Sequence, residues 1–366
     1  MTDRVGQVQQ AGQSIWLDFL GRDLVRSGEL ARLVQSGQLS GITSNPSIFL
    51  KAITGSELYS KDLRALARAG SSTAYDAFLA LAGEDIRDAC DVLRPVYDGT
   101  AGRDGFVSFE LPPAIAHDEA ASIAEAHRLW ALIDRPNLMI KVPGTSAGVR
   151  ILGRLIEDGL NVNQTLLFSV DVYEQSAEAY IAGLERRLAD GRPIDRIASV
   201  ASFFVSRVDT AVDAALPTAS PVLGTAAVAN AREAYRRFQG LFGGARWERL
   251  AAAGARVQRP LWASTSTKNP AYRDTLYVDT LIAPDTVNTL PEPTLRAVQD
   301  HCEVLPMTAA EINSGQFRLA ELREAGIDMA AVTGRLLAEG LDAFARDFDS
   351  LLAALEASLA PAATGA

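Results

Sequence analysis

The chain has 366 residues, 48% hydrophobic and 22% charged, which suits a soluble globule able to bury a core without disulfide or metal staples. Its 45 acidic and 35 basic residues give a net charge of −10, which disfavours a general nucleic-acid binder but is compatible with a small basic pocket. Cys90 and Cys302 form no CxxC pair, and His117, His127 and His301 form neither HExxH nor His-x-His, so a disulfide framework and a metal centre are both unexpected. No basic segment followed by an apolar run opens the chain, and no stretch reaches about 18 consecutive apolar residues, so neither a signal peptide nor a membrane span is expected. The expectation is a cytoplasmic protein without cofactor, in which side chains other than Cys and His carry any chemistry.

In chain order, strand-like runs read SIWLDFL (14–20), GITSNP (41–46), FVSFEL (106–111), LMIKVP (138–143), LNVNQTLLF (160–168), IASVASFFV (197–205), PLWASTS (260–266) and TLYVDTLIA (275–283). Helix-period stretches separate them. Ile123, His127, Trp130 and Ile133 form one stripe, and Val149, Leu152 and Ile156 another, with Thr145 as its N-cap. Eight near-continuous apolar strands alternating with helices predict a single (β/α)8 barrel over residues 1–366, with a doubly wound sheet as the competing architecture. Two connections are long. Residues 47–105, between the second and third strands, and 209–259, between the sixth and seventh, are expected to hold additional helices. A C-terminal helical extension, about 292–358, carries Leu337, Leu341, Phe344, Phe348, Leu351 and Leu355 at steps of four and three, a face for packing on the barrel or for a partner. The tail 360–366 is expected to fray.

Polar residues interrupt the apolar runs at their C-terminal parts: Asp18, Asn45, Glu110, Lys141, Asn163 and Thr165, Ser202 with Arg207 beyond it, and Ser264 followed by Lys268. Charges in buried strands are costly unless paired or used, and C-terminal strand ends form the mouth of a barrel, so a shared pocket is the better reading than isolated ion pairs. Lys141, between Met139-Ile140 and Val142-Pro143, taken alone could snorkel or pair with a carboxylate. An apolar setting disfavours an ammonium and frees the amine as a nucleophile. With Asp18 and Glu110 on other strands, the catalytic reading gains: an amine forms a Schiff base with a ketone, and two carboxyl groups in different environments serve as its proton shuttles. Asn45, Asn163 and Ser202 suit a polyol chain, and Arg207 and Lys268 suit a phosphate. Three weaker patterns carry no function. GTAGRDG (99–105) precedes a strand and reads as a loop, Asn163-Gln164-Thr165 is a sequon inside a buried strand, and His127 reads as a boundary histidine.

These residues resemble the transaldolase family. GITSNPSIF (41–49) is similar to its Thr-Ser-Asn-Pro signature, LMIKVPGT (138–145) to the segment holding its Schiff-base lysine, and LNVNQTLLFS (160–169), ASFFVSRVD (201–209) and YVDTLIAPDTVNTLPEPTL (277–295) to further segments in order. The resemblance implies a longer bacterial-type transaldolase, a transferase moving a dihydroxyacetone unit from sedoheptulose 7-phosphate or fructose 6-phosphate to glyceraldehyde 3-phosphate or erythrose 4-phosphate. It implies Lys141 as nucleophile, Glu110 acting through a water that Thr165 helps to hold, and Asp18 as base on the C4 hydroxyl. Thr43, Ser44, Asn45, Asn163, Ser202 and Ser264 would contact substrate, and Arg207 would hold the phosphate. Many members carry an arginine in the seventh-strand segment, where this chain reads Ala263-Ser264-Thr265-Ser266, so Lys268 is assigned as the second phosphate ligand. Sugar phosphates are the expected partners, without nucleic acid or membrane, and monomer and homodimer both remain open. The alternative activity is a fructose 6-phosphate aldolase releasing free dihydroxyacetone; the carboxylate at Glu110 and the closeness of the signatures favour the transferase.

Overall fold

The computed structural model describes residues 3–70 and 73–360; residues 361–366 of the tail lie outside them. Eight parallel strands form a closed barrel in sequence order: β1 Gln13–Leu17, β2 Gly41–Thr43, β3 Val107–Glu110, β4 Leu138–Pro143, β5 Val162–Leu167, β6 Ser199–Phe204, β7 Arg259–Ala263 and β8 Thr286–Leu290. β1 and β8 close the ring by pairing residue for residue, Gln13 beside Thr286 through Leu17 beside Leu290. This is the (β/α)8, or TIM, barrel.

The first seven strands fall on the predicted runs, but the eighth does not. TLYVDTLIA is not a strand: it contains a short helix, Leu276–Asp279, and the coil after it. Its apolar residues Tyr277, Val278, Leu281 and Ile282 are all buried and recur at helical spacings of three and four. The true strand begins after Asp285, which turns the chain at φ 56°. Thr286, Asn288 and Thr289 make β8 polar in sequence although each is buried, which hid it from an apolar-run criterion.

Cross-strand pairing fixes which side chains enter the barrel. Trp16 lies beside Gly41 on one side and Thr289 on the other. A Cβ at residue 41 would sit 2.4 Å from the Trp16 ring, so glycine is what lets the indole lie against β2. The indole Nε1 donates to Asp104 Oδ1 at 2.6 Å. Arg259, buried at the start of β7, lies 3.5 Å from that carboxylate and donates to Ser14 Oγ at 2.7 Å and to the Arg103 carbonyl at 2.9 Å. Asp104 and Arg103 belong to the GTAGRDG loop, which closes the N-terminal end of the barrel.

The 47–105 connection holds helices Pro46–Gly55, Ser60–Ala69 and Ala74–Gly99 and the 3-10 turn Glu57–Tyr59. Arg22, shortly after β1, fastens the last two helices and the 3-10 turn: its guanidinium meets Asp85 at 2.9 Å, Glu84 at 2.9 Å and Asp62 at 2.5 Å, and lies 4.4 Å from the Tyr59 ring centroid. The 209–259 connection holds Ala226–Leu241 and Gly244–Ala252. Thr145 caps helix Ser146–Asp158, accepting from the Gly148 amide, and His127 pairs with Asp158 at the surface at 3.0 Å. After β8 come helices Glu292–His301, Ala309–Glu324 and Met329–Leu359. The last crosses the C-terminal end of the barrel, touching helices Ser206–Asp213, Pro46–Gly55, Ser60–Ala69 and Ala74–Gly99 and burying Phe344, Phe348, Leu351 and Leu355. Among the described residues no helix is long and apolar enough to cross a membrane.

Gly41→Ala forces its methyl into the Trp16 ring, and overpacking of this kind costs about 1–3 kcal/mol. Urea unfolding should show stability lower by that amount, read as a lower midpoint with an unchanged slope; an unaltered midpoint would mean that Trp16 yields freely.

Candidate active site

The C-terminal strand ends enclose a cavity of about 340 Å³, and Lys141 lies at its wall. Register sets the reactive row. Glu110 on β3 pairs with Lys141 on β4, which pairs with Asn163 on β5, so all three side chains enter the barrel at one level. Lys141 is only 4% exposed. Its Nζ donates to the Ser44 carbonyl at 3.0 Å and lies 3.4 Å from Glu110 Oε2, with the Phe344 ring centroid 5.9 Å away. Among the described residues Glu110 Oε2 is buried without a hydrogen-bond partner, and so is Thr165 Oγ1 on the cavity wall. Two oxygens deprived of partners around a buried amine make a place for a water or a substrate oxygen.

Asp18 follows β1 into the same cavity. Its Oδ1 accepts from Thr43 Oγ1 at 2.7 Å, and Thr43 is itself 2.7 Å from Thr289 Oγ1, so a hydroxyl chain from β2 and β8 holds the carboxylate. Asn45 lines the cavity while its Oδ1 caps helix Pro46–Gly55, accepting from the Ile48 amide at 3.0 Å. Ser202 lines it with its hydroxyl donating to Asn163 Oδ1 at 2.6 Å. Ser264 holds a left-handed backbone at φ 55°, an arrangement that costs a non-glycine residue about 1–3 kcal/mol. Its carbonyl accepts from the Ser206 amide and its hydroxyl meets Ser206 Oγ, both at 3.0 Å.

Two expected contact residues stand differently. The Ser44 side chain is fully buried and donates to the Ser108 carbonyl at 2.7 Å, so its contribution to the site is its carbonyl. Asn163 is also fully buried, with its Nδ2 donating to Ser108 Oγ at 3.0 Å; it holds Ser202 from behind rather than lining the cavity.

Arg207, second residue of helix Ser206–Asp213, and Lys268, on the loop after β7, both line the cavity. Arg207 lies 5.7 Å from the Phe204 ring centroid, and Lys268 donates to Ser266 Oγ at 2.6 Å. Neither meets a carboxylate within 4 Å among the described residues. Burial holds both below their ordinary values, and Arg207 lowers Lys268 further. Two cations facing one cavity, with Asp18 on its wall but no carboxylate in contact with either, suit an anion.

A family model described as transaldolase/fructose-6-phosphate aldolase matches residues 15–355. The chain belongs to the transaldolase/fructose-6-phosphate aldolase family. It is 49% identical over 364 residues to a protein named transaldolase from Acidothermus cellulolyticus, with 98% of each chain covered. A transaldolase from a Parafrankia strain is 48% identical over 371 residues and is covered throughout, as is this chain. Transaldolase 2 of Nostoc punctiforme is 46% identical over 374 residues, with 97% of each covered. These whole-length relatives are named for an enzyme of the transferase class.

Within this family site the two carboxyl groups are tuned by their surroundings. Burial pushes Glu110 up to about 7, against the pull of Lys141 and with a push from Asp18. Burial also raises Asp18, opposed by Lys141, the Thr43 hydroxyl and Lys268. Glu110 can therefore give or take a proton near neutrality.

Several cavity residues were not found from the sequence. Thr289 was lost with β8. Ser47, Ile48 and Lys51 share one face of helix Pro46–Gly55, and their positions two, three and six residues after the Asn45 cap were the available signal. Phe344 was legible as part of an apolar stripe, but only the packing shows that it faces the mouth.

Protonated Glu110 is the form that can donate. Schiff-base formation in a single turnover should therefore fall as pH rises through about 7, and Glu110→Gln should abolish that limb. Rapid-quench trapping across pH 5.5–8.5 reads both; a limb that survives the substitution assigns the proton elsewhere.

Proposed function

We propose that this chain is a transaldolase. It transfers a dihydroxyacetone unit from sedoheptulose 7-phosphate or fructose 6-phosphate to glyceraldehyde 3-phosphate or erythrose 4-phosphate, through an imine on Lys141. The carrying observation is a buried lysine set in register beside one raised carboxyl group, with a second raised carboxylate in the same cavity.

The neutral Lys141 amine attacks the C2 ketone. Glu110, relaying through a water held by its own free oxygen and by the Thr165 hydroxyl, protonates the departing carbinolamine hydroxyl, and an iminium forms. Asp18 takes the proton of the C4 hydroxyl. The C3–C4 bond breaks, its electron pair moves into an enamine, and an aldose phosphate leaves. The enamine carbon then attacks the acceptor aldehyde, Asp18 returns its proton to the new hydroxyl, and hydrolysis of the iminium restores Lys141. Ser202, fixed by Asn163, and Asn45 orient the three-carbon unit, while Arg207 and Lys268 hold the phosphate. Thr43 orients Asp18, and Ser44 orients the lysine through its carbonyl. On the same reading the enzyme works in the cytosol, where its two cysteines remain as found, free and buried.

Borohydride with fructose 6-phosphate should trap an adduct on Lys141, located by peptide mass spectrometry; an adduct on another lysine refutes the assignment. Asp18→Ala should still form the adduct yet turn over about 10²–10⁴-fold more slowly, because it lacks only the cleavage base. If that variant forms no adduct, Asp18 acts earlier than C–C cleavage. Fructose 6-phosphate supplied alone should release little dihydroxyacetone; sustained release would make the enzyme an aldolase instead.

A further inference from the structure

A second cavity, about 410 Å³, opens at the N-terminal end of the barrel, opposite the lysine site. Its inner wall is apolar, made by Phe106, Met139 and Val200. Its rim is cationic. Arg103, Arg256 and Arg259 line it, with Asp285 as the acidic residue among the lining groups.

The charges do not cancel. Asp285 is taken by Arg103 at 2.7 Å, and Asp104, behind the wall, faces Arg259 at 3.5 Å. Arg256 has no carboxylate within 4 Å among the described residues. Its Nη2 donates to the Ala101 carbonyl at 2.5 Å, an oxygen that also accepts from Arg196 Nη1 at 3.1 Å. Its Nη1 is enclosed beside Gly102, with no hydrogen-bond partner among the described residues. Arg196 crowds the same carbonyl and adds positive charge; its own carboxylate neighbour, Asp195, is 4.0 Å away. A guanidinium that lines a cavity with no carboxylate in contact and a second arginine beside it is short of negative charge. An oxyanion in the cavity supplies that charge, and guanidinium groups bind one through their N–H donors.

We propose that this floor cavity is a second binding site, for a small organic oxyanion whose apolar or ring-bearing body packs on Phe106, Met139 and Val200 while its charged end meets Arg256. The GTAGRDG loop shapes this site: its carbonyls at Ala101 and Arg103 hold Arg256 and Arg259 in place. Phosphate and carboxylate share the needed chemistry. The cavity is independent of the transaldolase reading, since none of its lining residues lines the cavity at the other end.

The test uses the full chain with Arg207→Gln, which weakens phosphate binding at the lysine end. The chain has four methionines, so methyl-13C methionine spectra give a signal for Met139, assigned by Met139→Leu. The probes are phenyl phosphate, benzoate and inorganic phosphate. The expected result is a saturable shift of the Met139 methyl with phenyl phosphate or benzoate, the better of the two naming the head group, and weaker binding of inorganic phosphate, which lacks the ring. Adding Arg256→Gln should weaken binding at least tenfold while the other methionine signals keep their positions. No saturable Met139 shift with any probe at up to 10 mM, roughly the weakest affinity worth calling a site, overturns the proposal without reference to the variant. So does binding that Arg256→Gln leaves unchanged.

Discussion

The site depends on keeping one lysine inside a barrel. Removing an ammonium from water costs several kcal/mol after relaxation, and a buried pair that loses one partner is destabilised by about 3–5 kcal/mol. Lys141 is held by a carbonyl just past β2 and a carboxylate from β3, and the ring of Phe344 lies on another side. Each neighbour comes from a different element, so the barrel must close before the lysine is compensated. That couples the fold to the chemistry. The same burial that makes the lysine expensive also raises Glu110 into the range where it exchanges protons.

The opposite end of the strands solves the complementary problem. A barrel needs its interior filled, and here Trp16 fills it at the level where β2 carries glycine. The indole N–H and the Arg259 guanidinium are satisfied by Asp104 on the closing loop. The floor is therefore polar by construction, with Asp104 serving the indole and Arg259 while Asp285 serves Arg103. Arginines contributed by the loops before β6, β7 and β3 gather around it with fewer acids than bases. The overall charge of −10 says nothing of this local surplus.

Much of this was legible in the sequence because buried parallel strands announce themselves as apolar runs, and a charge inside one stands out. Lys141 and Glu110 were visible for that reason. β8 was not, because Thr286, Asn288 and Thr289 are polar residues buried by closure, and the neighbouring helical run was more apolar than the strand. The roles of Ser44 and Asn163 could not be separated from those of Asn45 and Ser202 by residue type. Whether a polar side chain faces the cavity or supports a neighbour depends on register and on which hydrogen bonds are already taken.

Register also explains why the mouth is shaped by a helix far away in sequence. β5 carries one extra residue opposite β6, with Leu166 at φ 55°. The irregularity leaves Thr165 facing the cavity and turns Leu166 toward the terminal helix, where a Cβ on residue 340 would lie 3.0 Å from it. Gly340 thus lets Met329–Leu359 approach closely enough for Phe344, one helical turn on, to reach the lysine. A transferase must shield its enamine until an acceptor arrives, and an aldolase need not. On the transaldolase reading, the bulge in β5, the glycine above it and the phenyl ring beyond form one device that narrows the access of water to Lys141.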